Sequence, residues 1–293
     1  MKTIGIDLGG TRIKGVLISS EGEIEHQIYT PTHDGNDQVW KAAVKNTVSE
    51  LNKFIYSDIY KIGISAPGLP NADNTAINFM PGRLQGLEGF IWQDFLQQPT
   101  AVLNDGIAAL LAEATFGVAK NKRQVAMLTL GTGVGGALLL NGIPFQGAFG
   151  RAGHMGHMVI DFKGDQDVTG MPGSLEECIG NCTIEKRTNG LYTTTHDLLN
   201  AFIRGEEFAT KVWLTSVRQL ATGIASIINI ISPELIVIGG GIAEANDLLF
   251  TPLREYLNEY EWRPGGHTVP IVKANQGDLA GAVGAACFAM NKN

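Results

Sequence analysis

Residues 3–19 read Thr-Ile-Gly-Ile-Asp-Leu-Gly-Gly-Thr-Arg-Ile-Lys-Gly-Val-Leu-Ile-Ser, two apolar runs joined by a glycine turn. Residues 3–6 predict a strand that ends at Asp7, and residues 16–19 predict the next strand. Because a strand follows the glycines, the segment is neither a Walker loop nor a dinucleotide-binding fingerprint, both of which open a helix. Glycines in such a turn let backbone N–H groups approach a ligand. A plain Gly-Gly hairpin turn is the alternative interpretation.

The same pattern returns in the second half of the chain. Residues 124–129 predict a strand, residues 130–136 (Leu-Gly-Thr-Gly-Val-Gly-Gly) a turn, and residues 137–140 a second strand. The long separation in sequence between the two glycine turns indicates a duplicated β-domain rather than a short-period solenoid. Two matching turns favour a site for a triphosphate over two plain hairpins. A third turn, residues 239–241, follows an apolar run and predicts backbone exposed to an anion or to an adenosine.

Asn104-Asp105 lies between these turns in the sequence. It ends an apolar run over residues 100–103 and precedes a helical stretch over residues 107–116. Taken alone, Asp105 is best explained as a helix N-cap, a position that Asp favours. The glycine turns on either side instead predict that its carboxylate is a base acting on a bound substrate, facing a cleft at the edge of the sheet.

Hydrophobic periodicity predicts further helices and strands along the chain. Helices are expected over residues 39–56, 90–96, 175–187, 197–203, 212–231 and 279–290, and another begins near residue 243. Strands are expected over residues 24–29, 61–65, 158–162, 234–238 and 269–274. The charged segment 119–123 is interpreted as a domain boundary.

The composition argues against several classes of protein. Of 293 residues, 44% are hydrophobic and 17% are charged, as in an ordinary globular protein. The formal net charge of -7 argues against a nucleic-acid partner, which needs a basic surface. The three cysteines favour reduced thiols, and so a cytoplasmic location. The sequence begins without a signal-peptide pattern, and no apolar run approaches the roughly 20 residues of a membrane span, so no membrane partner is expected.

Five motifs in register resemble the ROK family of sugar kinases and sugar-responsive repressors, related to actin, hexokinase and the heat-shock ATPases. They are Asp7-Leu8-Gly9-Gly10-Thr11 with Lys14, Asn104-Asp105, Gly131–Gly136, Ala152-Gly153-x-x-Gly156-His157 and Ile238–Gly241. The resemblance implies an α/β protein with the two-domain, actin-like, hexokinase-type ATPase fold, whose mixed sheets surround a central cleft. The domains expected are residues 1–118, joined by the C-terminal helix 278–293, and residues 119–277.

The resemblance also implies a kinase that uses ATP and Mg²⁺ to phosphorylate a hexose or hexose derivative at the 6-hydroxyl. Asp105 is then the general base, Asn104 holds the reacting hydroxyl, and Asp7 lies near Mg²⁺, directly or through water. ATP contacts are implied at Asp7, Gly9, Gly10, Thr11, Lys14, Gly131, Thr132, Gly133, Gly135, Gly239, Gly240 and Gly241. Sugar contacts are implied at Pro67, Gly68, Asn78, Asn104, His154, His157 and Glu176. A homodimer is common in the family and is expected.

One departure from the family pattern concerns the substrate. His154 stands where the family usually has a glutamate. A carboxylate accepts hydrogen bonds from two sugar hydroxyls, whereas a neutral imidazole accepts one and donates one. Glucose is therefore expected to bind weakly, or the substrate differs around those hydroxyls; we favour a substituted sugar.

A second departure concerns the metal. Asp167, Thr169 and Ser174 stand where the family usually has zinc-binding cysteines, so no structural zinc is expected. Cys178 and Cys182 are expected to be buried cysteines on one helix, with a different metal site including a nearby histidine as the alternative.

The competing functional class is a non-catalytic sugar sensor or pseudo-kinase. The repressor branch of the family carries a DNA-binding winged helix before its first strand, and here the first predicted strand begins at Thr3, so DNA binding is not expected. Intact Asp7, Asn104 and Asp105 favour the kinase.

Overall fold

The computed structural model describes residues 2–292. The chain forms two compact units, which are described separately. The first unit comprises the residues up to 121, residues 146–152 and the residues from 275 on. The second unit comprises residues 122–145 and 153–274.

Each unit is built from one five-stranded sheet and its helices, and the first unit also has a two-stranded sheet formed by Leu69–Pro70 and Ile77–Phe79. The strands are β1 (Thr3–Leu8), β2 (Arg12–Ile18), β3 (Ile24–Pro31), β4 (Lys61–Ala66), β5 (Leu69–Pro70), β6 (Ile77–Phe79), β7 (Thr100–Asn104), β8 (Val125–Leu130), β9 (Val134–Leu140), β10 (Ile143–Pro144), β11 (Leu235–Gly239) and β12 (Ile271–Lys273). The α-helices are α1 (Asp37–Asn52), α2 (Trp92–Leu96), α3 (Asp105–Phe116), α4 (Leu175–Ile179), α5 (Ile184–Arg187), α6 (Thr195–Ile203), α7 (Glu207–Ile231), α8 (Asp247–Tyr260) and α9 (Ala280–Asn291).

The first unit is organised around a mixed sheet in the order β3-β2-β1-β4-β7. β1 pairs antiparallel with β2 and parallel with β4. Ile4, Ile6, Ile62 and Ile64 are fully buried on one face of the sheet, and Gly5 and Gly63 lie between them on the opposite face, against α9. The C-terminal α9 packs so closely on β4 that a Cβ at Gly63 would lie 1.9 Å from a helix carbonyl oxygen. The small residues of α9 therefore serve close backbone packing.

The second unit has a sheet with the same pairing pattern, β10-β9-β8-β11-β12. β8 pairs antiparallel with β9 and parallel with β11, as β1 does with β2 and β4. This shared topology is what the repeated glycine turns in the sequence predict. The long α7 buries Trp213, Val217, Leu220 and Ile224 in the core beside this sheet.

α7 is the one helix within residues 2–292 that is long and apolar enough to cross a membrane by length and composition. Its apolar window has a mean hydropathy of 1.3, and half of it is buried inside the protein. A helix over residues 212–231 is what the hydrophobic periodicity predicts, and α7 begins five residues earlier, at Glu207. Burial against the sheet of the second unit is the behaviour of a core helix in a soluble fold.

Several predicted elements of the second unit are wrong in kind or extent. Residues 158–162 form no strand, only an isolated bridge from Val159 to Ser174. The helix expected over residues 175–187 is interrupted at Gly180, because the next two backbone N–H groups bond outside the helix. Asn181 N donates to Gly131 O at 3.0 Å, and Cys182 N donates to Thr132 O at 2.7 Å. Tertiary hydrogen bonds thus override helical periodicity.

Three smaller differences from the predicted elements concern Cys182, the start of α8 and the length of the last strand. Cys178 is buried on α4, but Cys182 lies beyond the interruption and is exposed, so the prediction of two buried cysteines on one helix is wrong for Cys182. Residues 241–245 form a 3-10 turn, and α8 begins only at Asp247. The last strand is limited to Ile271–Lys273.

Candidate active site

In the first unit, the turn between β1 and β2 presents free backbone donors. The N–H groups of Gly9, Gly10 and Thr11 make no hydrogen bond within residues 2–292. Thr32 holds the turn from the side: its hydroxyl donates to Gly9 O at 2.6 Å and its N–H to Thr11 O at 3.1 Å. An ordered turn with unpaired N–H groups is suited to an anion such as a phosphate.

Asp7 lies at the end of β1 beside this turn. Its Oδ1 accepts a hydrogen bond from the Ser65 hydroxyl at 2.8 Å, and its Oδ2 lies 3.2 Å from Lys14 Nζ. Lys14 also pairs with Asp278 at 2.9 Å. Burial opposes the charge on Lys14, but the two carboxylates outweigh it and raise the Lys14 pKa. Lys14 therefore stays a cation next to the turn.

Arg83 is a site residue that sequence reasoning missed. A Cβ on Gly10 would lie 1.7 Å from Arg83 Nη2, so the guanidinium lies directly against the turn. Its nearest carboxylate is Asp34, 3.7 Å from Nε. The adjacent Pro81-Gly82 predicts an ordered loop, but nothing local in the sequence indicates that the loop reaches Gly10.

Asn104 and Asp105 have separate roles: Asn104 caps the helix, and the Asp105 carboxylate does not. Asn104 is the N-cap of α3, and its Oδ1 accepts from Gly106 N at 2.9 Å and Ile107 N at 3.4 Å. Its Nδ2 donates to Gly68 O at 3.1 Å. Asp105 is the first helical residue, so its carboxylate is not needed as the cap.

The Asp105 carboxyl is accessible to solvent, yet protein surrounds it closely enough to perturb its ionisation. Desolvation, followed by the negative charge of Asp7, raises its pKa to about 6. Its Oδ1 accepts a hydrogen bond from Gly106 N at 2.8 Å, which works in the opposite direction. A carboxyl with this pKa can exchange protons near neutral pH.

The loop before β5 is held against β6. Gly68 has φ of +99°, and a Cβ there would lie 2.5 Å from Phe79 O, so only glycine fits. Pro67 precedes it and is partly exposed, and Asn78 is exposed on β6. The structure therefore brings Pro67, Gly68 and Asn104 together in the first unit through the Asn104–Gly68 bond.

In the second unit, the turn between β8 and β9 again offers free donors. Gly131 N bonds to Gly133 O at 2.9 Å, while the N–H groups of Thr132 and Gly133 are unpaired within residues 2–292. Val134 N donates to Glu176 Oε2 at 2.9 Å. Glu176, expected as a sugar contact, therefore also holds the second glycine turn.

A cavity of about 480 Å³ adjoins this turn, a volume within the usual range for small-molecule sites. Its lining combines backbone of the glycine turns with polar and apolar side chains. The lining residues are Gly131, Thr132, Asn181, Thr194, Thr195, His196, Leu199, Asn200, Ile203, Gly241, Ile242, Glu244, Ala245 and Leu248. The side chains from the segments around Asn181 and α6 were not foreseen, since no sequence signal links those segments to the turn.

The third glycine turn meets the second directly. Gly240 has φ of +86°, and a Cβ there would lie 2.3 Å from Leu130 O. Gly239 ends β11, which pairs with β8 at Thr129. The two turns expected to contact ATP therefore form one wall of one cavity.

His157 and Glu176 are brought into one region of the second unit. Leu175 N, next to Glu176, donates to Met158 O, next to His157, at 2.9 Å. His157 Nδ1 lies 3.4 Å from the Asp167 carboxylate. His154 is partly buried just before the short helix Met155–His157.

The donor chemistry decides which ions and cofactors the site suits. In each unit the unpaired N–H groups of the glycine turn suit phosphate oxygens; in the second unit the cavity also suits a nucleoside, and in the first unit the Asp7 carboxylate is a ligand type that Mg²⁺ accepts. The expected zinc positions do not suit zinc, because Thr169 and Ser174 supply hydroxyls and the Asp167 carboxylate is occupied by hydrogen bonds. No group of at least three His, Cys, Asp or Glu side chains among the described residues is arranged for a metal.

The profile described as "ROK family" matches residues 3–292. The chain belongs to the ROK family. ROK relatives include a glucokinase of Thermotoga maritima, 29% identical over 98% of this chain and 96% of its own. An N-acetylmannosamine kinase of Haemophilus influenzae is 30% identical over 98% and 94%.

Solved ROK structures have the same fold. The ROK hexokinase of Thermus thermophilus matches with a TM-score of 0.87 and 26% identity, over 99% of this chain and 98% of its own. The fold is therefore the two-sheet, hexokinase-type α/β fold that the motifs predicted.

Proposed function

We propose that this ROK protein is a kinase that transfers the γ-phosphoryl group of ATP to the 6-hydroxyl of a hexose or hexose derivative. The similar glucokinase and N-acetylmannosamine kinase support a sugar kinase. The observation that carries the proposal is the Asp105 carboxyl, whose pKa is raised to about 6 at the start of a helix that another residue caps. A partly desolvated carboxylate of this kind is suited to act as a general base.

The proposed chemistry assigns a role to each group. Asn104 orients the reacting hydroxyl, and Asp105 accepts its proton as the hydroxyl oxygen bonds to the γ-phosphorus. The bond from that phosphorus to the bridging oxygen breaks, and ADP leaves. The free N–H groups of Gly9–Thr11 in the first unit, and those of Thr132–Gly133 in the second, are each suited to phosphate oxygens. Mg²⁺, near Asp7, supplies further charge neutralisation when it is bound.

The substrate class is proposed from His154. An imidazole in place of the usual glutamate favours a sugar that differs from glucose around the hydroxyls it contacts. Substituted hexoses such as N-acetylhexosamines meet this condition. We also propose a cytoplasmic homodimer without nucleic-acid or membrane partners, supported by the family resemblance, the free cysteines and the net charge of -7. Light scattering behind size exclusion tests the dimer.

ADP release over a panel of hexoses and N-acetylhexosamines tests the function, with the Asp105→Asn variant beside the unmodified protein. The chain offers a matched control, because Asn36 caps α1 and Asp37 follows it, as Asn104 and Asp105 do at α3. Asp105→Asn is expected to lower kcat about 10²- to 10⁴-fold, while Asp37→Asn changes it less than about twofold. If the unmodified protein binds a sugar but phosphorylates none, the sensor function replaces this proposal.

A further inference from the structure

A hydrogen-bonded cluster occupies the place where the zinc positions of the family pattern fall. Asp167 Oδ1 accepts from Thr169 N at 2.8 Å, Thr169 Oγ1 at 2.7 Å and Met171 N at 3.0 Å. The Asp167 side chain is fully enclosed, and the Ser174 hydroxyl also bonds to it. All three non-cysteine positions, Asp167, Thr169 and Ser174, therefore take part in one network.

The other oxygen of this carboxylate faces a proposed sugar contact. Asp167 Oδ2 lies 3.4 Å from His157 Nδ1. The His157 side chain is 39% exposed, and its Nε2 makes no hydrogen bond within the part of the chain that the structure describes. One ring nitrogen is thus committed to Asp167, and the other is open to a ligand.

The ionisation state of Asp167 determines whether its carboxyl accepts a hydrogen bond from the His157 ring or donates one to it. Burial opposes its charge, but the hydrogen bonds from the side chains of Thr169 and Ser174 and from backbone N–H groups outweigh burial and hold the Asp167 pKa well below its usual value. An ionised carboxylate is only an acceptor. Nδ1 of the ring must then carry the hydrogen, and in a neutral imidazole Nε2 is left as an acceptor.

We propose that Asp167 is a positioning residue that holds His157 in its Nδ1–H tautomer, so that Nε2 accepts a hydrogen bond from a sugar hydroxyl. The proposal rests on the proposed function for the sugar role of His157. The group that orients this histidine is then the hydrogen-bonded network of Asp167, at positions where the family usually has zinc-binding cysteines. It also predicts selectivity, because an Nε2 acceptor prefers a hydroxyl donor and disfavours a carbonyl oxygen at the same point.

Asp167→Asn tests the proposal because it can keep the network and reverse one bond. The asparagine Oδ1 can still accept from Thr169 and Met171, but its amide N–H now faces His157 Nδ1 and donates to it. The ring hydrogen then moves to Nε2. Asp165→Asn is the matched control: it lies in the same loop, is exposed, and pairs with Lys186 at 3.3 Å rather than with a histidine.

The first readout is independent of turnover. Nitrogen-15 NMR of histidine-labelled full-length protein, with His157→Gln used for assignment, is expected to show Nδ1–H in the unmodified protein and in Asp165→Asn, and Nε2–H in Asp167→Asn. Retention of Nδ1–H in a folded Asp167→Asn protein overturns the proposal. Because no substrate is present, this result stands even if the kinase function fails.

The second readout distinguishes a positioning role of Asp167 from a general loss of activity or stability. For the best sugar substrate, Asp167→Asn is expected to raise KM about tenfold, the effect of one hydrogen bond, with kcat changed less than about threefold. If no sugar is turned over, calorimetric Kd values replace KM. Thr169→Val removes one network bond but leaves the Asp167–His157 pair, and is expected to lower Tm without changing the tautomer. A switched tautomer with unchanged KM or Kd overturns the specificity role.

Discussion

Asn104 donates a hydrogen bond from Nδ2 to the carbonyl oxygen of Gly68 at 3.1 Å, while its Oδ1 caps α3. One side chain therefore joins the start of the helix that carries Asp105 to the loop expected to contact sugar. Asn36 caps α1 in the same way without such a link. A comparison of the two caps therefore separates the effect of losing a helix cap from the effect of losing the bond to Gly68.

We expect Asn36→Ala to lower the free energy of unfolding by about 1 kcal/mol through loss of the cap, and Asn104→Ala to lower it further, because this buried side chain also loses its bond to Gly68 O. Asn104→Ala releases the Gly68 loop and also removes the proposed contact between Asn104 and the sugar hydroxyl, so it alone is expected to raise the sugar KM, by about tenfold or more. Denaturant unfolding and steady-state kinetics measure the two effects. Equal KM values for the two variants would show that the Gly68 bond does not organise the site.

The raised pKa of Asp105 predicts the pH dependence of catalysis. A base must be deprotonated, so kcat/KM for the sugar is expected to rise with pH, to reach half its plateau near pH 6, and to be flat above about pH 7. A profile measured at saturating ATP from pH 5 to 8.5 tests this. A midpoint near pH 4 would mean that the carboxyl of Asp105 is not desolvated or is not the base.

The same pKa predicts an effect on stability. A carboxyl whose pKa is raised in the folded state favours folding most below its unfolded pKa, and this contribution is lost as pH rises through about 6. Asp105→Asn is therefore expected to raise Tm by a few degrees at pH 8 and to leave it nearly unchanged at pH 4. Thermal unfolding of Asp105→Asn and of the unmodified protein at the two pH values measures the difference, and an equal change in Tm at both pH values would contradict the prediction.

Close packing of α9 on Asp7 predicts a sensitive glycine. A Cβ at Gly281 would lie 2.6 Å from Asp7 Oδ1, so Gly281→Ala is expected to displace the carboxylate and lower kcat/KM for ATP at least tenfold. Gly223→Ala in α7 is the control, because its Cβ would meet side chains only at an ordinary 3.4 Å. That control is expected to be neutral or to stabilise by up to about 1 kcal/mol. Equal ATP kinetics for both variants would contradict the placement of Asp7.

Glu176 links the second glycine turn to the region proposed to contact sugar, which predicts an effect on the KM of both substrates. Glu176→Ala removes the acceptor of Val134 N, so KM is expected to rise for ATP as well as for sugar. Glu177→Ala, on the same helix turn, loses only its ion pair with Lys186 at 2.6 Å and is expected to leave both KM values unchanged. A rise in the sugar KM alone would show that the bond to Val134 is dispensable.

The absence of a structural zinc remains a prediction with a direct measurement. Elemental analysis of purified protein is expected to find zinc far below one atom per chain. Treatment with a chelator, followed by restoration of Mg²⁺, is expected to leave Tm unchanged. Stoichiometric zinc would contradict the assignment of Asp167 as a hydrogen-bonded group.

Sequence by itself determined the elements whose causes are local. The turns after β1 and β8 are recognisable from their clustered glycines, which let the backbone approach a ligand closely. The repetition of this pattern predicted two sheets that share one topology. The place of Asp105 at a strand-to-helix junction was equally local. These features follow from short-range sterics and alternation, which a single sequence records.

Tertiary structure alone decided which residues meet. It bonded the side chain of Asn104 to Gly68, interrupted the predicted helix at Gly180 by bonds to the second glycine turn, and placed Arg83 against Gly10. It also joined Asp167 to His157. Each of these contacts depends on the paths of separate segments through the fold. A hydrogen bond or a close contact between segments leaves no periodicity in the chain from which it could be read.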